Sequence, residues 1–91
     1  MEYTVELKRT ALKDLAQIDK KDADAILKKI YSLRKGLVGD IKKLKNYNPG
    51  YRLRVGNYRV LFELEGLHIE VANIFHRKEA YKHNKKVQRW N

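Results

Sequence analysis

The sequence predicts an α+β domain in the order β-α-α-β-β-β-α. A helical hairpin should cover one face of a mostly antiparallel sheet, with a short helix at the end. Three observations carry this reading. A strand-like alternation opens the chain, apolar residues then recur at helical spacing, and two glycine-bearing loops punctuate a β-rich stretch after Pro49. At 91 residues the chain is read as one domain, 1–91.

Tyr3, Val5 and Leu7 alternate with polar residues and share one side of a short strand. Thr10 is a candidate N-cap for a helix carrying Ala11, Leu12, Leu15 and Ile18. Asp19 is a second candidate cap, and Asp22 sits in the following first turn, where the helix dipole favours a carboxylate. Ala23, Ile26, Leu27, Ile30, Leu33 and Leu37 then form one apolar stripe, with Lys28, Lys29, Arg34 and Lys35 outside it. Gly36 and Gly39 offer C-cap positions.

Residues 40–50 read as a basic connector, broken by Pro49-Gly50, which launches a strand. Gly56-Asn57 separates YRLRV from YRVLFEL as a two-residue hairpin loop, and Glu65-Gly66 reads as a second one. The segment after Phe75 has no alternation and few β-branched residues, so it reads as a loop and a basic final helix.

Composition narrows the function. Without cysteine there is no disulfide scaffold, thiol catalysis or thiolate metal site. His68, His76 and His83 show no metal-ligand spacing, so no metal is expected. No apolar run approaches the roughly 20 residues of a membrane span, and the N-terminus has no apolar signal core. A soluble cytoplasmic protein with no membrane partner is expected. The net charge is +10, and residues 42–91 hold 12 basic and 4 acidic side chains against 9 and 7 in residues 1–41. A polyanion is the expected partner, met by the second half.

The loops imply registers. The first pairs Arg54 with Arg59, Arg52 with Leu61 and Tyr51 with Phe62; the second pairs Phe62 with Ile69, Arg59 with Ala72 and Tyr58 with Asn73. One face then carries Tyr51, Leu53, Val55, Tyr58, Val60, Phe62, Ile69, Val71 and Asn73 for the helices to cover. The other carries Arg52, Arg54, Arg59, Leu61, Glu70, Ala72, Ile74 and His76. Like charges facing across a strand pair are unfavourable by roughly 0.2–1 kcal/mol. Folding gains nothing evident from that, whereas a phosphate would be clamped by three guanidinium forks. The alternative is a solvated face whose arginine stems cover apolar surface; the clustering in the more basic half favours the anion site. Glu70 falls on the same side, as an acid–base group or as an ion-pair partner for Arg52.

The run GYRLRVGNYRVLFEL, followed by a strand and IFHRKEAY, resembles the RelE/ParE toxin superfamily of bacterial toxin–antitoxin systems over nearly the whole chain. The nearer likeness is to the RelE-like messenger-RNA interferase branch. The resemblance implies a ribosome-dependent endoribonuclease that inhibits translation. It would cut messenger RNA in the decoding site by metal-independent 2′-hydroxyl attack, with no cofactor. It also implies a neutralising antitoxin, acidic where it meets this chain, with operator DNA reached only through that partner. By position, Arg52, Arg54 and Arg59 match the family's strand basics, and Arg77 and Tyr81 its C-terminal pair. Arg52 and Arg54 stand where some family nucleases have lysines; a guanidinium does not readily deprotonate, so neither is a general base.

Arg59 is expected to matter most for catalysis. Tyr81 would stack a splayed base or take the 2′-proton. Histidine trades protons near neutral pH, which makes His76 a candidate to protonate the leaving 5′-oxygen, alone or with Arg77. Lys43, Lys45 and Lys82 are candidate RNA contacts. Two other functions remain: a ParE-like inhibitor of DNA gyrase, and a non-catalytic basic RNA-binding module with a tyrosine and arginine sheet face. The joint presence of Arg59, Arg77 and Tyr81 favours the nuclease.

Overall fold

A computed structural model describes residues 2–45 and 49–79. The chain begins with strand β1 (Thr4–Leu7) and continues into helices α1 (Arg9–Ala16) and α2 (Lys20–Ser32), the latter running on into a 3-10 turn, Leu33–Lys35. Strands β2 (Asp40–Lys43), β3 (Tyr51–Val55), β4 (Tyr58–Glu65) and β5 (His68–His76) follow. The five strands make one sheet in the order β1-β5-β4-β3-β2. β1 runs parallel to β5 and every other pair is antiparallel. The expected α+β class with a mostly antiparallel sheet is the one observed. Among the described residues no helix is long and apolar enough to cross a membrane.

The apolar stripe of α1 and α2 does what its spacing requires. Ala11, Ile26, Ile30 and Leu33 close over Leu53, Val60, Phe62, Ile69, Val71 and Ile74, all buried in one cluster. Phe62 lies at its centre, stacked on Tyr51 with ring centroids 5.3 Å apart. Truncating such a ring to alanine costs about 3–5 kcal/mol.

Four details depart from the sequence reading. The expected connector at 40–50 begins as an edge strand, β2, which pairs with β3. Its sequence DIKK has one large apolar residue and two lysines, the composition that edge strands use to resist further pairing. Thr10 does not cap α1: the cap position is Lys8, and the Thr10 hydroxyl donates instead to the Ala72 carbonyl of β5.

The second hairpin turns on Gly66-Leu67, with Glu65 opposite His68, rather than on Glu65-Gly66. Gly66 has φ 60°, a left-handed conformation that glycine adopts without strain. Finally, a bulge shifts the register between Leu61 and Phe62: Phe62 faces Val71, Leu61 faces Asn73, and Ala72 is the extra residue. Every position of β5 beyond Ala72 therefore changes side. Ile74 and His76 join the helix-covered face, opposite Val60 and Tyr58, while Asn73 and Phe75 join the other.

β5 outruns β1, and α1 completes its exposed edge. The Lys8 amide donates to the Val71 carbonyl at 2.9 Å, the Thr10 hydroxyl donates to Ala72, and the Asp14 carboxylate accepts the Ile74 amide at 2.9 Å. Backbone groups that a neighbouring strand would have satisfied are thus satisfied from a helix. Residues 77–79, following β5, are helical; the rest of the expected final helix lies outside the described residues.

Candidate active site

The first hairpin holds the register that its glycine loop implied. Gly56, at φ 58°, turns the chain so that Val55 faces Tyr58, Arg54 faces Arg59, and Arg52 faces Leu61. Strand alternation then puts Leu53 and Val60 under the helices and the three arginines on the opposite face.

The three guanidiniums occupy different environments. Arg52 and Arg59 are 3% and 4% exposed and are the buried charged residues among those described. Arg54 is more open, its side chain 41% exposed. Arg52 Nη1 donates to the Asp40 backbone carbonyl at 3.3 Å and to Asp40 Oδ1 at 3.2 Å. The other carboxylate oxygen, Oδ2, lies 3.3 Å from Arg54 Nε. One carboxylate on the edge strand therefore braces two arginines. Arg59 Nη1 donates to the carbonyls of Gly56 and Tyr58, both at 3.2 Å, so the turn itself aims this side chain. Nε of Arg52 is buried with no hydrogen-bond partner among the described residues.

Arg77 comes to the same place from the end of β5. Its amide donates to the Asn57 carbonyl at 2.7 Å, which ties the start of the helical segment to the first hairpin loop. Burial first, and then the nearby charges of Arg54, Arg52 and Arg77 in that order, push the Arg59 guanidinium below its usual pKa; Asp40 opposes them. Arg59 is thus a desolvated cation among three others, with one carboxylate in partial compensation. Such a site favours an anion, and planar forks suit phosphate oxygens.

Other expectations fare differently. Arg59 is paired with Phe75, not with Ala72. His76 lies on the helix-covered face at the far end of the strand, its ring edge-on to Tyr58 with centroids 5.3 Å apart. Glu70 is opposite Glu63 and pairs with Lys8 at 3.7 Å; Asp40 serves as the partner expected of it. Lys43, in register with Tyr51, falls on the helix side, whereas Lys42, in register with Arg52, shares the arginine face. Lys45 is exposed in the turn after β2.

Asp40 is the site residue that the sequence reading missed, and with it the place of Lys42 beside Arg52 on the arginine face. The signal was available only to a reading that made 40–43 a strand. Tyr81, Lys82 and His83 lie outside the described residues. Among the described residues no cluster of three or more potential ligands could hold a metal ion.

A small α+β domain whose sheet carries helices on one face and converging arginines on the other is the class of protein that fold and site define. A family model described as the ParE toxin of type II toxin–antitoxin systems, parDE, matches residues 5–81, and the chain belongs to this toxin family. The likeness to the RelE/ParE superfamily read from the motifs is borne out.

Toxin RelE3 of Methanocaldococcus jannaschii is 50% identical over 42 residues, which take in 46% of this chain and 48% of that relative, about half of its length. The RelB-RelE antitoxin-toxin complex from Methanococcus jannaschii contains a chain of the same fold. It has a TM-score of 0.71 and 34% identity, with 84% of this chain and 94% of that one covered. The fold also matches a chain of the RelBE2 toxin-antitoxin complex from Mycobacterium tuberculosis, with a TM-score of 0.74 and 22% identity over 85% of this chain and 100% of that one.

Proposed function

We propose that this toxin is a ribosome-dependent endoribonuclease that inhibits translation by cutting messenger RNA in the decoding site. The observation that carries the proposal is the gathering of Arg52, Arg54 and Arg77 around a buried, turn-aimed Arg59. In the proposed reaction the messenger's 2′-oxygen attacks the adjacent phosphorus and gives up its proton. The bond from phosphorus to the 5′-oxygen breaks, and the leaving oxygen takes a proton. A cyclic phosphate and a free 5′-hydroxyl result.

Negative charge grows on the non-bridging oxygens as the nucleophile arrives. Preorganised cations are worth most there because they need not reorganise during the step. Arg59 and Arg77 are assigned to those oxygens. Arg52 and Arg54, braced by Asp40, hold the backbone in register. The family resemblance assigns Tyr81 to the substrate base or the 2′-proton; Lys45 and Lys82 are assigned to RNA contacts by their charge, and Lys43, on the helix side, is left out of the arginine face. His76 faces away and takes no proton-transfer role in this scheme.

The partners follow from the same reading: ribosome and messenger in the cytoplasm, and a neutralising antitoxin with an acidic contact surface. The RelB-RelE antitoxin-toxin complex from Methanococcus jannaschii supports an antitoxin, and operator DNA would be reached through it.

The test is cleavage of a defined messenger on programmed ribosomes, mapped by primer extension, with free RNA alongside. Cuts confined to the ribosome-bound message at the decoding site are expected. A second reading, inhibition of DNA gyrase, is favoured by the ParE description of the matching family model. A supercoiling reaction inhibited at stoichiometric protein, with messenger left intact, would transfer the assignment to it.

A further inference from the structure

The end of β5 carries a motif that the nuclease scheme does not use. His76 Nδ1 accepts the Lys78 amide at 3.1 Å, and Glu79 Oε1 accepts the His76 amide at 3.3 Å. Residues 77–79 are helical, so His76 is the residue before the first turn and Glu79 the third within it. A side chain that accepts an amide of the first turn, and an acid three residues on that reaches back, form a capping box. Serine, threonine, aspartate and asparagine usually hold the first position because they present an acceptor at short reach. Here an imidazole nitrogen does so. Its ring is also held edge-on against Tyr58, one residue beyond the Asn57 carbonyl that receives the Arg77 amide.

We propose that His76 is a positioning residue: with Glu79 it caps the turn at 77–79 and so fixes Arg77 against the first hairpin loop, beside Arg59. With Nδ1 engaged as the acceptor, the ring proton sits on Nε2, and the register puts His76 on the face away from the arginines, out of line for proton delivery there. The role in cleavage rests on the nuclease reading above; the cap does not.

Two readouts separate them. Amide exchange at Lys78 and His76, followed by NMR, reports the cap. Cleavage on programmed ribosomes reports its consequence. His76→Asn keeps a short acceptor and Glu79→Gln keeps the reach-back, so both should retain amide protection and cleave within about three-fold of wild type, since asparagine caps well.

His76→Ala and Glu79→Ala should lose protection and slow cleavage about ten-fold or more, because small misplacements of a catalytic group are costly. In an Arg77→Ala background, His76→Ala should add less than about two-fold, as expected of residues acting as a unit. The proposal is overturned if Lys78 stays protected in His76→Ala, if His76→Asn keeps protection yet cleaves as poorly as His76→Ala, or if the two losses multiply. Wild type that cleaves no ribosome-bound message would remove the nuclease reading while amide exchange still decides the cap.

Discussion

Arg54 and Arg59 stand directly opposite each other across β3 and β4, and the carboxylate that answers them, Asp40, reaches Arg54 and Arg52. The arrangement is poor for folding. Burial and three neighbouring cations disfavour the charge on Arg59, and its hydrogen bonds to the Gly56 and Tyr58 carbonyls are set against them. Sites kept for binding or catalysis often hold stability below its optimum, and the same is expected here.

Arg59→Met should therefore unfold at higher denaturant than wild type, because replacing buried charge with a well-packed apolar side chain is often neutral or stabilising by about 1–4 kcal/mol. Urea titration measures this. A clear loss of stability would mean that the guanidinium is a structural strut.

Asp40→Ala should act in the opposite sense. It leaves a buried Arg52 donor without its side-chain acceptor, at a cost of about 1–3 kcal/mol, and the half-exposed pair to Arg54 adds little. The same change removes the one carboxylate that weakens the positive field on Arg59. Binding of a short RNA oligonucleotide at low salt should tighten, read by fluorescence anisotropy, while urea titration shows the stability loss.

Asp14→Ala tests the helix-to-strand stitch. The Ile74 amide loses the carboxylate that α1 offers it, and about 1–3 kcal/mol is expected for a buried donor left unsatisfied. Asp14→Asn retains an acceptor and should recover much of it. Hydrogen exchange at Ile74 gives a local readout, with faster exchange expected in the alanine variant alone.

Alkaline titration should reveal Tyr58. Burial, then the negative charges of Asp22, Glu79 and Asp19, raise its pKa above the ordinary 10.0. The unfolded chain therefore gives up this proton first, so the folded state holds more protons as pH rises past 10.0. The contribution to stability is complete below that value and is lost as pH climbs toward the folded one. Tyr58→Phe should flatten the stability profile in that window, measured by denaturant midpoints at several alkaline pH values.

The legible parts of the fold were those fixed by local rules. Gly56-Asn57 specified the β3–β4 register residue by residue, because a two-residue loop leaves no freedom in pairing. The arginine cluster followed from that register and from alternation alone. The second hairpin misled because Glu65-Gly66 and Gly66-Leu67 both make acceptable loops. Only the parallel with Gly56, which also stands first in its loop, distinguishes them.

The bulge at Ala72 has no local signature, since α1 supplies its reason by bonding to Ala72 and Ile74 from a distant part of the chain. That bulge moved His76 away from the arginines. β2 was hidden by its lysines, and with it went Asp40 and the place of Lys42. A residue's chemistry can be read from its type, but its side of the sheet depends on every register between it and the nearest turn.

The most direct test of the central claim is the single-turnover cleavage rate of Arg59→Met on programmed ribosomes, set against wild type under the same conditions. A folded variant, at least as stable as wild type, is expected, with a rate lower by about 10²–10³, the loss typical of a transition-state donor removed. Undiminished cleavage by the folded variant would contradict the central claim and would return the arginine face to a binding role.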